Sequence, residues 1–139
     1  MVGRGEVNAA SWPSPRQLRI YHPADLHALK RDAYVEIPGD YDLFGDGTVV
    51  VLSTPGHTPG ELSLVVRLAT STYVLTGDAV HDRRQLQTLT PLPGDFDADQ
   101  AVNSLKRVRL LSKTHQARIW TGHDPDDWAE YARPNAWIS

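Results

Sequence analysis

Three short runs, TPGHTPG at 54–60, TGDAVH at 76–81 and TGHD at 121–124, each set a histidine or an aspartate beside a glycine. The side chains so placed are His57, Asp78 and His123. Glycine permits the tight backbone turn that lets a neighbouring side chain point into a site. Imidazole and carboxylate bind zinc, iron and manganese, and the chain has no cysteine to offer a thiolate instead. Taken singly, each histidine reads as a capping or surface residue. Taken together, each at the end of a strand pattern, the three read as metal ligands converging on one rim.

The elements that must position them follow from periodicity and turn chemistry. Gln17–Tyr21 (QLRIY) alternates polar and apolar residues and is expected as a short strand, and Pro23 opens a helix through Arg31 with Leu26 and Leu29 at helical spacing. Glycines and aspartates at 39–47 mark a turn before the β-branched run Thr48–Ser53, a buried strand. Leu62–Leu68 and Ser71–Thr76 are two further strands. From Asp97 to Lys113 apolar residues recur every three or four positions, at Ala98, Ala101, Val102, Leu105, Val108 and Leu111, which predicts the longest helix. Asp97 with Gln100 resembles a capping box at its start. Asp95, Asp97 and Asp99 are read together as helix-start acids, since no calcium-loop glycine and glutamate follow them. Ala117–Thr121 is a last strand, Asp124 and Pro125 start a final helix, and Trp120 and Trp128 are expected to pack against the sheet. The class is α/β, a mixed sheet covered by helices.

At 139 residues the chain is one domain, with residues 1–16, rich in Gly, Ser, Pro and Asn, expected as a flexible tail. A formal net charge of -3 gives no broad positive field, which argues against nucleic acid or an anionic membrane as a partner. No apolar run is long enough to span a bilayer and no apolar stretch follows the amino terminus, so a cytoplasmic location is expected.

The three glycine-flanked motifs, their order, their strand contexts and the helix between the last two resemble the metallo-β-lactamase-fold hydrolases, in the N-acyl-homoserine-lactonase-like branch. The resemblance covers residue 17 to the end. It implies that residues 17–139 form a partial domain, the carboxyl-terminal half of an αββα sandwich. It also implies that His57 holds one zinc, that Asp78 bridges two and that His123 holds the second, for hydrolysis of a small-molecule lactone or ester by a metal-bound hydroxide. Iron or manganese suits the same donors. Asp124 is a candidate outer partner of His123.

Two departures qualify this. The family's H-x-H-x-D-H motif is absent, and the nearest look-alike, His22-Pro-Ala-Asp25-Leu-His27, places its aspartate one position early, so neither histidine is assigned as a ligand. Three residues after Asp78, where such lactonases commonly carry a substrate-contacting tyrosine, this chain has His81, a candidate catalytic donor or general acid or else a solvated loop residue. With three protein ligands for two metals, the expectation is a poor catalyst unless a missing segment, a second copy or another chain completes the site. The alternative is a non-catalytic remnant or interaction module that docks its open sheet face on a partner.

Overall fold

The computed structural model describes residues 1–15, 17–21 and 34–131. Its frame is a five-stranded sheet in the spatial order β3-β4-β5-β6-β7, formed by Tyr41–Asp42 (β3), Val49–Ser53 (β4), Leu62–Arg67 (β5), Thr72–Leu75 (β6) and Arg118–Trp120 (β7). Neighbours are antiparallel except β6 and β7, which run parallel. The crossover between those two carries helices α2 (Arg83–Thr88) and α3 (Ala98–His115). A helix α4 (Pro125–Tyr131) follows β7.

Strand alternation and helix periodicity meet in the core. The register aligns Val50, Val65, Val74 and Ile119 on one sheet face. Against that face α3 buries Ala101, Ser104, Leu105 and Val108. Leu52, Val65, Val74, Val80, Leu105, Val108 and Ala117 form one buried cluster. Full burial of each such aliphatic side chain stabilises the fold by roughly 1.5–3 kcal/mol. The capping expectation holds in detail: the Asp97 carboxylate accepts from Gln100 N at 2.9 Å and from the Gln100 side chain at 2.8 Å. The other sheet face is less open than expected. Val51 and Tyr73 are buried, and Tyr131 stacks on Trp120 at 4.8 Å and meets Tyr73 edge-on at 6.0 Å. Trp128, in contrast, stays 58% exposed, at the rim of a cleft that it lines with Leu75 and Trp120.

Two expectations near the amino terminus are corrected. Within residues 1–15 of the expected tail, Val2–Gly3 (β1) pairs in parallel with Glu36–Ile37 (β2), and Glu6–Ser11 form helix α1. Glu6 ties this segment down, accepting from Gly60 N at 2.8 Å and from the Tyr21 hydroxyl at 2.9 Å. Glycine serves close approach here rather than flexibility, because a Cβ on Gly3 would lie 2.1 Å from Gly60 O. Gln17–Tyr21 is not a strand but begins with a 3-10 turn, Gln17–Arg19. The Gln17 side chain accepts from Ser14 N at 2.9 Å and its carbonyl accepts from Ile20 N and Tyr21 N, each at 2.9 Å, so local bonds replace strand pairing. The helix expected from Pro23, with His22 and His27, lies outside the described residues.

Candidate metal centre

β4 and β6 both run antiparallel to β5, and β7 runs parallel to β6, so the carboxyl ends of β4, β6 and β7 lie along one edge of the sheet. Each of those ends leads into one glycine-flanked run: residues 54–60 after β4, 76–81 after β6 and 121–124 after β7. Strand direction therefore assembles side chains that are up to 66 positions apart, the separation from His57 to His123.

Backbone and hydroxyl bonds hold the three loops together. Thr76 N donates to Trp120 O at 3.0 Å, and the Thr76 hydroxyl reaches Val80 O at 3.1 Å. Gly122 N donates to Val80 O at 3.2 Å and His123 N to His81 O at 3.0 Å, which sets the two imidazoles side by side. The His57 loop is clamped to the start of α3: Asp97 N donates to Gly56 O at 3.0 Å, Phe96 N to His57 O at 3.2 Å, and the Ser104 hydroxyl to Pro55 O at 2.7 Å. Gly56 has φ +146°, and a Cβ there would meet Ala101 Cα at 2.3 Å, so only glycine fits.

His57, Asp78 and His123 come together as expected, and His81 joins them. His57 Nε2 lies 3.8 Å from Asp78 Oδ2, and His123 Nε2 lies 2.9 Å from Asp78 Oδ1. The His81 ring stacks on His123 at 4.6 Å between centroids and meets the His57 ring edge-on at 5.1 Å. Among the described residues, the donor atoms of His57, Asp78 and His81 lie within 4.8 Å of one another. Burial holds His81 below the ordinary histidine range, with the neighbouring imidazoles acting the same way against the opposing charge of Asp78. Its Nδ1 is buried with no hydrogen-bond partner among the described residues. An unpartnered buried ring nitrogen beside two further donors fits a metal ion.

Sequence reasoning missed the residues behind this cluster. Asp95, read as one of several helix-start acids, has a side chain only 5% exposed and lies 3.1 Å from His57 Nδ1. A carboxylate there favours the ring proton on Nδ1, which leaves the Nε2 lone pair on the Asp78 side available to a metal ion. Leu92 N donates to the other Asp95 oxygen at 2.7 Å, which fixes the carboxylate in turn. Asp124 does not bond His123 but accepts from Arg83 N and Asp126 N, each at 3.0 Å. The residue that anchors this loop is Asp127, fully buried, which accepts from Thr121 N at 2.7 Å and the Thr121 hydroxyl at 2.8 Å. Glu61 Oε1 accepts from Asp78 N at 3.3 Å, and its pKa is pushed up to about 7 by burial first and then by the Asp78 carboxylate.

The sequence from residue 4 to residue 132 matches the metallo-beta-lactamase superfamily. The chain belongs to that superfamily. As a superfamily member it is 40% identical over 95 residues to the N-acyl homoserine lactonase AttM of Rhizobium radiobacter, an overlap of 67% of this chain and 36% of that protein. It is 36% identical over 92 residues to the N-acyl homoserine lactonase AiiA of Bacillus thuringiensis subsp. kurstaki, covering 66% of this chain and 36% of that one. The fold superposes on an N-acyl homoserine lactone hydrolase, solved with N-hexanoyl-L-homoserine at its catalytic metal centre, with a TM-score of 0.81 and 30% identity. That match covers 99% of this chain and 51% of the other. The dizinc quorum-quenching lactonase AidC shares the fold at a TM-score of 0.68 and 23% identity, over 89% of this chain and 47% of AidC. The superfamily domain described here thus spans about a third of the curated lactonases it matches and about half of the solved ones.

Proposed function

We propose that this chain carries the metal-binding part of a hydrolase that opens a small-molecule lactone or related ester. The observation that supports this most directly is the convergence of His57, Asp78, His81 and His123 on one sheet edge, with Asp95 setting the tautomer of His57. The donor set suits zinc, and iron or manganese by the same chemistry. A bound divalent ion supplies Lewis acidity, polarising a carbonyl and making water a better nucleophile. The chain's own groups orient the donors: Asp95 through His57, Asp127 through the 121–124 loop, and the shared backbone bonds through His81 and His123. The sequence contains no H-x-H-x-D-H, so we infer that a further segment or a second chain supplies the remaining donors and that this chain alone turns over slowly.

The test is zinc content by plasma mass spectrometry together with ring opening of an N-acyl homoserine lactone, followed by proton release. The expected result is bound zinc that disappears in His57→Ala and Asp78→Ala, with slow hydrolysis that disappears alongside it. A chain that takes up no zinc from excess would sink the reading. The second reading, a non-catalytic interaction module, is favoured by the same missing motif. Zinc bound normally, with hydrolysis no faster than in Asp78→Ala, would select it.

A further inference from the structure

Asp78 sits in a single 3-10 turn, Gly77–Ala79, that follows β6. The first amides of such a turn have no partner within it and need an acceptor from elsewhere. Thr76 stands at the cap position but gives the turn no side-chain bond, because its hydroxyl faces the carbonyl oxygens of Val80 at 3.1 Å and of Gly77 and Trp120 at 3.3 Å. The Asp78 amide is met instead by Glu61, the half-buried residue directly before β5, whose Oε1 accepts from it at 3.3 Å. Gly77 makes the approach possible: its φ is +54°, and a Cβ there would lie 2.9 Å from Glu61 Oε1. Glu61 is itself held by the loop that carries His57. Thr54 N donates to Glu61 O at 2.9 Å, and the Thr58 hydroxyl donates to Glu61 Oε2 at 3.4 Å, which leaves Oε1 turned to Asp78.

We propose that Glu61 is a positioning residue of the metal centre: it caps the Asp78 turn from the neighbouring loop and so sets where the Asp78 carboxylate stands between His57 and His123. The inference deepens the reading of this cluster as a metal centre and rests on it. The Asp78 side chain is 45% exposed, so packing does not hold it and the backbone it hangs from must. Its two oxygens serve different neighbours, Oδ1 at 2.9 Å from His123 Nε2 and Oδ2 at 3.8 Å from His57 Nε2. Donors each ~2.0–2.1 Å from a shared ion stand no more than ~4.2 Å apart, so a turn that drifts by about 1 Å takes Oδ2 out of range of an ion on His57. One carboxylate, fixed by Thr54 and Thr58, ties the His57 loop to the Asp78 turn and prevents that drift.

Two measurements on wild type, Glu61→Gln and Glu61→Asp decide it: hydrogen exchange of the Asp78 amide in the metal-free chain, and zinc affinity by competition with a chromophoric chelator. The two variants separate the acceptor from the charge. Glu61→Gln keeps an oxygen for the Asp78 amide and drops the charge, whereas Glu61→Asp keeps the charge and withdraws the oxygen by the length of one carbon–carbon bond, ~1.5 Å. Glu61→Asp should expose the Asp78 amide to exchange, leave the amides of the β4–β5 ladder protected, and weaken zinc ~10–100-fold, the range of an outer partner that orients a ligand. Glu61→Gln should keep the Asp78 amide protected and lose less than about 10-fold, below that range. Zinc held as weakly by Glu61→Gln as by Glu61→Asp, or as tightly by Glu61→Asp as by wild type, overturns the role of Glu61 and leaves the metal centre standing. The Glu61→Gln arm decides the matter even if Glu61→Asp fails to fold. No zinc binding by wild type overturns the metal centre, and this role with it.

Discussion

Replacing Asp127 tests whether the loop carrying His123 is held by one buried carboxylate. Asp127 is fully buried and accepts from Thr121 N at 2.7 Å, the Thr121 hydroxyl at 2.8 Å and Arg83 Nε at 2.5 Å. The Arg83 side chain is 45% exposed and also pairs with Glu130 at 3.0 Å, so it can turn to solvent and its share of the loss is small. The Thr121 bonds decide the magnitude, because Thr121 is 2% exposed and has no water to fall back on. Each charge-assisted bond contributes roughly 1.5–3 kcal/mol, so Asp127→Ala should cost about 3–5 kcal/mol. Asp127→Asn can still turn its carbonyl oxygen to Thr121, replacing two charged acceptor bonds by neutral ones worth about 1 kcal/mol each, and should cost about 1–3 kcal/mol. For a chain of 139 residues a loss of 1 kcal/mol lowers Tm by roughly 3–5 °C. Asp127→Ala should therefore melt about 10–20 °C below wild type in metal-free buffer, with Asp127→Asn between them. Hydrogen exchange localises the effect: the Gly122 and His123 amides, bonded to Val80 O and His81 O, should exchange faster than those of the β4–β5 ladder. An Asp127→Ala chain that melts within about 3 °C of wild type, with those amides still protected, would refute the reasoning.

Gly56→Ala should destabilise by about 3 kcal/mol or more, since its Cβ would sit 2.3 Å from the α3 backbone at Ala101 and φ there is +146°. An unchanged urea midpoint would contradict this. Asp95→Asn keeps an acceptor for Leu92 N but gives up the charge facing His57 Nδ1, so zinc affinity should fall ~10–100-fold in a chelator competition; wild-type affinity would remove Asp95 from the site. Glu61 has a folded pKa of about 7 against an ordinary 4.5, raised by burial and by Asp78, so between those values the folded chain holds more protons than the unfolded chain. Its contribution makes metal-free stability fall as pH rises through that window, and Glu61→Gln should flatten the slope in denaturant titrations from pH 4.5 to 7. An identical slope in both chains would show that Glu61 does not carry it.

The sequence by itself determined what depends on near neighbours. Residues 97–113 repeat apolar positions with helical spacing, and Ala101, Leu105 and Val108 are the ones buried, because periodicity records which side of a helix faces a core. Asp97 caps Gln100 three positions away, and the β-branched run at 48–53 makes a strand, for equally local reasons. His57, Asp78 and His123 stood out because glycine beside each makes the loop turn legible. At 17–21 one local signal overrode another, the alternation giving way to a 3-10 turn that Ser14 N closes on the Gln17 side chain. Elsewhere the tertiary structure decided: the glycine-rich opening is held as a strand and helix because Glu6 meets Gly60, 54 positions away. The same holds at the site. Asp95 meets His57 across 38 positions, and the stack of His81 on His123 exists only because β6 and β7 run parallel with their ends in register. Residue type and spacing announce which groups can bind a metal. Which of them face one another is set by strand direction and loop-to-loop hydrogen bonds, and those pairings leave no periodicity along the chain.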